Sequence, residues 1–307
     1  MKLSVVTTLY LSQEFLREFY TRISAEVKKI TNCYEIILVN DGSPDHSLEL
    51  ALDLFGSDSN IILIDLSRNF GQHKAMMTGL AHASGDLIFL LDCDLEEEPE
   101  LLGVFYEQMQ RSGADVVFGV QKSRKGRLLE RISGEIFFFV FNLLSNIHIT
   151  PNLIHARLMS SRYVKNLIRY CEHNIYIPGL MTLTGFTQAG IPVDKHYRGN
   201  STYNLSRKFG LMLMAITSFS TKPLQFIFHL GLGMLTFSIF AMIYTILKGG
   251  LTKVNPEFSL LVLLSIWILG SLIIFCLGIL AIYLSTVLIE TKQRPYTVIR
   301  QVYTHRM

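Results

Sequence analysis

The chain has 307 residues, a net charge of +3 from 28 Lys and Arg against 25 Asp and Glu, and a hydrophobic content of one half. So small a basic surplus gives no reason to expect a nucleic-acid partner. The four cysteines, Cys33, Cys93, Cys171 and Cys276, form no C-x-x-C pair, which speaks for reduced thiols over a disulfide frame or a zinc site.

Leu3 to Tyr10, rich in Val and Thr, predicts a first strand, and its start at Met1-Lys2-Leu3 is too short and strand-like for a signal peptide. The N-terminal domain is therefore expected in the cytoplasm. Ser12 is a candidate cap for a helix through about Ile30, with Phe15, Phe19, Ile23 and Val27 at helical spacing. Glu35 to Asn40 is a second strand, stopped by the turn residues Asp41-Gly42-Ser43-Pro44. A helix over Ser47 to Phe55, a strand over Ile61 to Leu66 and a helix over Lys74 to Ala83 follow. Leu87 to Leu91 is a fourth strand, Pro99 opens another helix, and Asp115 to Val120 is a fifth strand.

This alternation predicts an α/β domain with a doubly wound, mostly parallel sheet. Ligands of such sheets bind beyond the carboxyl ends of the strands. Asp41, Ser67-Arg68-Asn69 and Asp92 all fall there. Asp92-Cys93-Asp94 places two carboxylates one residue apart at a strand end, a pattern suited to a hard divalent cation that shares its shell with substrate phosphates.

Leu128 to Ile147 is aromatic and follows Lys122, Arg124, Lys125, Arg127 and Arg131. It reads either as an interfacial helix on a lipid bilayer or as a core helix of the domain. Leu205 to Lys222 is a candidate juxtamembrane helix. Pro223 to Leu247 and Phe258 to Ile289 are runs of 25 and 32 residues without Asp, Glu, Lys or Arg. Each exceeds the roughly 20 helical residues a bilayer requires, so two C-terminal transmembrane helices are expected. Residues 248–257 would be an external loop and 290–307 a cytoplasmic tail. Arg207, Lys208 and Lys222 before the first run, and Lys292, Arg294, Arg300 and Arg306 after the second, outnumber Lys248 and Lys253 between them. Both termini are thus expected inside, at the inner membrane.

Val39-Asn40-Asp41-Gly42-Ser43, Ser67-Arg68-Asn69-Phe70-Gly71 and Leu91-Asp92-Cys93-Asp94-Leu95, in this order and spacing, resemble the family 2 glycosyltransferases with a GT-A fold. The likeness is closest to their polyprenyl-phosphate branch, which includes dolichol-phosphate mannose synthase, the bactoprenol glucosyltransferases and the aminoarabinose transferase to undecaprenyl phosphate. Asn69-Phe70-Gly71-Gln72-His73 is similar to the last of these, and Glu290-Thr291-Lys292-Gln293-Arg294-Pro295 to the bactoprenol enzymes. The GT-A domain would span residues 1–204.

The resemblance implies an inverting, metal-dependent transfer of a sugar from a nucleotide sugar to a polyprenyl phosphate, with undecaprenyl phosphate expected. Asp92 and Asp94 would hold Mg²⁺ or Mn²⁺ on the donor diphosphate, and Arg157 would join them in catalysis. Thr8, Tyr10, Asp41, Arg68, Asn69, Gln72 and His73 would line the donor site. Asp41 also reads as a plain turn former, Arg68 as a surface cation, and Gln72 and His73 as a helix start. Lys122, Arg124 and Arg131 would hold the acceptor phosphate or, alternatively, lipid headgroups.

The chain departs from the family pattern in three places. The acidic residue that usually follows the first strand is missing. His155 in Ile154-His155-Ala156-Arg157-Leu158 stands where an Asp is usual, and Thr202 in Gly199-Asn200-Ser201-Thr202-Tyr203 replaces a Lys. His155, Arg198 and Ser201 are carried over as donor-site candidates. A homo-oligomer, with a tetramer expected, and a separate flippase also follow from the resemblance. Two rivals remain at this point. One is a non-catalytic membrane scaffold with a relic domain. The other, a processive polysaccharide synthase, is disfavoured because the single Trp, Trp267, falls in the second apolar run and not in a Gln-x-x-Arg-Trp motif.

Overall fold

Strand β2 (Tyr34–Asn40) is buried at every residue, as a strand covered on both faces must be. Around it the computed structural model builds a mixed sheet. The model describes residues 1–121, 153–170, 172, 177–193, 222–247 and 256–305. In chain order β1 (Leu3–Leu9), α1 (Leu16–Ile30), β2, α2 (Ser47–Ser57), β3 (Ile61–Leu66), α3 (Gln72–His82), β4 (Leu87–Leu90), α4 (Leu101–Ser112) and β5 (Val116–Gln121) match the expected alternation. They are followed by β6 (Leu153–Ser160), α5 (Ser161–Leu167), α6 (Ile177–Leu183), β7 (Gln188–Val193), α7 (Lys222–Leu247), α8 (Pro256–Thr291) and β8 (Ile299–Tyr303).

The strand order is β7-β5-β6-β4-β1-β2-β3-β8. β1 pairs in parallel with both β2 and β4, and β2 with β3. From β1 the chain winds to one side through β2 and β3, then crosses to β4 on the other. The gap between the carboxyl ends of β1 and β4 is thus the switch point where an open α/β sheet takes its ligand. β6 pairs antiparallel with β4 and β5, and β8 antiparallel with β3. The sheet is therefore less uniformly parallel than the alternation alone predicts.

Successive strand residues serve opposite faces. Leu3, Val5, Leu9, Ile36 and Leu38 share one core with Leu16, Phe19, Ile23 and Val27 of α1 and with Leu102 and Phe105 of α4. On the other face α3 approaches closely at Gly79, where a β-carbon would fall 2.5 Å from Val6 Cγ1 and 2.9 Å from Val39 Cγ2. α1 begins three residues later than the Ser12 cap suggests. The Ser12 carbonyl instead closes a turn to Phe15 and Leu16, and its hydroxyl accepts from Tyr10 N.

The described residues fall into two units. The sheet unit takes the described residues up to 193 together with 294–305, and the second unit holds α7 and α8. Leu272–Thr291 in α8 is long and apolar enough to cross a membrane, with a mean hydropathy of 2.8 and none of it buried. It is the one stretch among the described residues that meets that test. The expected interfacial segment 128–147, nearly all of the juxtamembrane segment 205–222 and most of the loop 248–257 lie outside the described residues. Residues 299–303 of the expected tail form an edge strand of the sheet.

The amino terminus is pinned by a buried carboxylate. Glu35 pairs with Lys2 Nζ and accepts hydrogen bonds from Ser4 Oγ at 2.6 Å and Ser84 N at 2.7 Å. Burial pushes its carboxyl up, but Lys2, Ser4 and Ser84 outweigh that and hold it below the usual range. A carboxyl depressed in the folded state adds stability that is complete above its unfolded pKa of about 4.3 and is lost as pH falls through the folded value. Glu35→Gln should therefore lower stability at pH 7 by about 1–3 kcal/mol. Its deficit against the wild type should shrink on acidification below about pH 4, as thermal unfolding by circular dichroism in detergent would read.

Candidate active site

The switch point is occupied by Asp92, two residues beyond β4 and buried to 8% exposure. A carboxylate so placed requires partners. Its Oδ1 accepts from Gln72 Nε2 at 2.9 Å, and its Oδ2 lies 2.6 Å from His155 Nδ1. Gln72 is the first residue of α3, reached through Gly71 at φ 98°. His155 comes from β6, whose antiparallel register sets Leu90 opposite Arg157. Continued by two residues, that register brings His155 to Asp92.

Glu97, 1% exposed, closes the group. Its Oε1 accepts from His155 N at 3.1 Å and its Oε2 from Ala156 N at 2.7 Å. The ligand atoms of Asp92, Glu97 and His155 lie within 4.8 Å of one another. Burial alone would lower the imidazole's pKa, but the charge and hydrogen bond of Asp92 and the charge of Glu97 outweigh it and raise it. Two carboxylates and one imidazole suit a divalent cation. The nitrogen ligand favours Mn²⁺ over Mg²⁺, which prefers oxygen and water. These residues therefore fit the expected metal.

Asp94 is half-buried, and its Oδ1 accepts from Glu96 N at 3.0 Å. Between them Leu95 takes a left-handed φ of 58°. Among the described residues, the cluster around Asp92 is thus completed by Glu97 and His155. Glu97 escaped the sequence reading because it is the middle of Glu96-Glu97-Glu98, and only burial tells it from its neighbours. Arg157 is 2% exposed and lies in the interior. Its guanidinium donates to the carbonyls of His155 at 3.2 Å and Ile154 at 3.1 Å, and contacts Met181 Sδ. Arg157 thereby braces the backbone that carries His155, and burial lowers its pKa.

Asp41, just past β2, is also buried. Its carboxylate accepts from Phe70 N at 2.7 Å and Gly71 N at 3.0 Å, so it ties the turn after β2 to the loop after β3. Burial raises its pKa although both amides oppose the shift. Gly42, at φ 58°, lies against that loop, where a β-carbon would fall 2.5 Å from Arg68 C and Asn69 N. Arg68 is exposed, folds over the Phe70 ring at 4.2 Å and donates to Asn69 O at 3.2 Å. His73 meets His155 edge to face at 6.2 Å. Thr8, in β1, is half-buried, and Tyr10, 48% exposed, directly follows the strand. Thr8, Tyr10, Asp41, Arg68, Asn69, Gln72, His73 and Asp92 therefore cluster along the carboxyl edge of the parallel strands. Arg198, Ser201, Lys122, Arg124 and Arg131 lie outside the described residues.

The model of the family described as glycosyl transferase family 2 matches residues 4–175, more than half of the chain. The chain belongs to glycosyl transferase family 2. A glycosyltransferase of Mycobacterium tuberculosis is 46% identical over 99% of this chain and 89% of its own length. The prophage bactoprenol glucosyl transferase homolog of Escherichia coli is 31% identical over 98% of this chain and 99% of its own. The bactoprenol glucosyl transferase of Shigella phage SfII is likewise 31% identical, over 100% and 99%. This chain is accordingly a glycosyltransferase, and the similarity runs through the apolar helices to the tail strand.

Two glycines of this glycosyltransferase separate crowding from backbone strain. Gly113 has φ 65° but open space around a β-carbon. Gly113→Ala should cost about 1 kcal/mol of stability and leave transfer intact. Gly42→Ala must push the two loops apart and should cut transfer at least roughly tenfold, in assays run well below both melting temperatures.

Proposed function

We propose that this glycosyltransferase moves a sugar from a nucleotide-sugar donor to a polyprenyl phosphate, of which undecaprenyl phosphate is the expected form, at the cytoplasmic face of the inner membrane. One observation carries the reading: Asp92, Glu97 and His155 meet at the switch point of the sheet, in a chain similar along its whole length to proteins named bactoprenol glucosyl transferases.

Thr8 near the end of β1, Tyr10 just after it, the Asp41-braced turn after β2 and the Arg68-Asn69 loop after β3 receive the nucleoside. Gln72 and His73 face the diphosphate and sugar, and the family resemblance supports Arg198 and Ser201 as further donor contacts. Asp92, Glu97 and His155 hold Mn²⁺ or Mg²⁺, with Asp94 beside them. The bound ion supplies charge neutralisation at the departing diphosphate. The acceptor phosphate is already ionised at neutral pH, so no general base is required. One of its oxygens bonds to the anomeric carbon from the face opposite the diphosphate. The carbon–oxygen bond to the diphosphate breaks, and the nucleoside diphosphate leaves with its electron pair. Configuration inverts and no proton is transferred. Positioning and fixed charge supply the rate, with Lys122, Arg124 and Arg131 holding the acceptor.

Chain topology supports two spans. β8 belongs to the same sheet as β1, so the chain on either side of α7 and α8 is on one side of any bilayer. A crossing by α8 then requires a second crossing, and α7 offers 25 uncharged residues for it.

Purified full-length protein in detergent, given Mn²⁺, undecaprenyl phosphate and radiolabelled UDP, GDP or dTDP sugars, should form labelled lipid with one of them. Asp92→Asn and Asp94→Asn should lower kcat by about 100-fold or more, and Glu97→Gln should raise the Mn²⁺ needed for half activity about tenfold. Folded wild type that labels no lipid with any of these donors would sink the proposal.

A further inference from the structure

Arg300 in β8 counts, in the sequence, only as one of the cations flanking an apolar run. Its place in the sheet is more specific. Leu63 lies opposite Tyr303, Ile64 opposite Val302 and Asp65 opposite Gln301, yet the next pair is Leu66 with Ile299. Arg300 is the extra residue of a β-bulge. Bulges re-aim a side chain and are common beside functional sites. Here the guanidinium donates from Nη1 to Asp65 Oδ2 at 3.1 Å and from Nη2 to Ser67 O at 2.8 Å.

Both acceptors lead to the proposed donor site. The Asp65 side chain is 3% exposed, and its other oxygen accepts from Asn40 Nδ2 at 2.8 Å. Asn40 Oδ1 in turn accepts from Ser43 N at 3.3 Å, inside the turn after β2. Ser67 directly precedes Arg68 and Asn69. The tail grips Ser67 twice, since its N–H donates to Val298 O at 2.9 Å while its carbonyl receives Arg300. One residue earlier, Thr297 Oγ1 lies 2.8 Å from Thr78 Oγ1 of α3, the helix whose first residue, Gln72, holds Asp92.

We infer that Arg300 is a positioning residue for nucleotide-sugar binding. From the bulge it fixes the Asn40–Ser43 turn through Asp65 and the Ser67–Gly71 loop through the Ser67 carbonyl. This rests on the reading above that those two loops receive the nucleoside diphosphate. The planar fork of an arginine serves two acceptors at once, whereas a lysine ammonium is a point charge on a flexible stem. Without Arg300 the buried Asp65 carboxylate faces the Asn40 amide alone, and an uncompensated buried charge displaces its surroundings.

The test is calorimetric binding of UDP, GDP and dTDP with Mn²⁺ to full-length protein in detergent, run well below the melting temperature. Arg300→Ala should weaken the diphosphate that binds wild type by about tenfold, the scale of one hydrogen bond to a charged group, and Arg300→Lys should fall between. In lipid-labelling assays the loss should appear in the donor KM, with kcat changed by less than about twofold. Adding Asp65→Asn to Arg300→Ala removes the stranded charge and should restore part of the affinity.

His305→Ala is the control. His305 stacks on Phe55 at 4.0 Å and contacts Phe55 O at 2.8 Å, so its loss loosens the same tail away from the loops. It should lower the melting temperature and leave the dissociation constant unchanged. The inference is overturned if Arg300→Ala binds within about twofold of wild type, or if His305→Ala weakens binding as much. If wild type binds none of the three diphosphates, the donor-site reading itself fails and this inference falls with it.

Discussion

A single buried carboxylate organises the site. Asp92 is attached to β4, but its two oxygens are taken by the start of α3 and by β6. These three segments are far apart in sequence, and a buried carboxylate without such partners would be costly. Glu97 extends the constraint by accepting two successive amides of β6, and Arg157 braces the same backbone through its carbonyls. The arrangement is preorganised. On the proposed reading, the side chains that would hold a cation against the departing diphosphate are fixed before any ligand enters, which is the condition under which electrostatic stabilisation is most effective.

Backbone strain collects at the same edge. Leu11 after β1 and Leu95 after β4 both hold left-handed φ, 55° and 58°. Such conformations are costly for a side chain larger than glycine and persist where the surroundings over-determine them. Leu11 N donates to Ser43 Oγ, and Ser12 N to Ser47 Oγ, so the turn after β1 is tied to the one after β2. The loops after β1, β2 and β3 are therefore linked by hydrogen bonds.

The first half of this architecture was legible because parallel, doubly covered strands leave unbroken apolar runs. β1 to β5 and their helices fall within a few residues of where hydrophobic pattern and turn chemistry set them. β6 was not legible, since Ile-His-Ala-Arg reads as loop and an arginine is seldom buried. β8 was missed for a related reason: an edge strand is short and polar, as Ile-Arg-Gln-Val-Tyr is. The locations of Asp41 and Asp92 followed from strand ends alone, and that of Gln72 from the family resemblance. What each touches did not, because it depends on long-range register. Asp41 is a case in point: its carboxylate accepts from the amides of Phe70 and Gly71, 29 and 30 residues on, which no local pattern announces.

His155 stands where the family pattern has an acid, and its register explains what the exchange does. An aspartate there would set two carboxylates within hydrogen-bond reach of each other, a pair that must share a proton or a cation to coexist. An imidazole needs neither. Its ring donates to Asp92 at 2.6 Å, so the pocket satisfies its own charge before a metal arrives. A metal bound there, as proposed, would compete with that hydrogen bond and gain a nitrogen ligand in return. On the proposed metal reading, the exchange would shift the site from one that depends on its cation for cohesion to one that is cohesive beforehand, and would tilt the preference toward ions that accept imidazole.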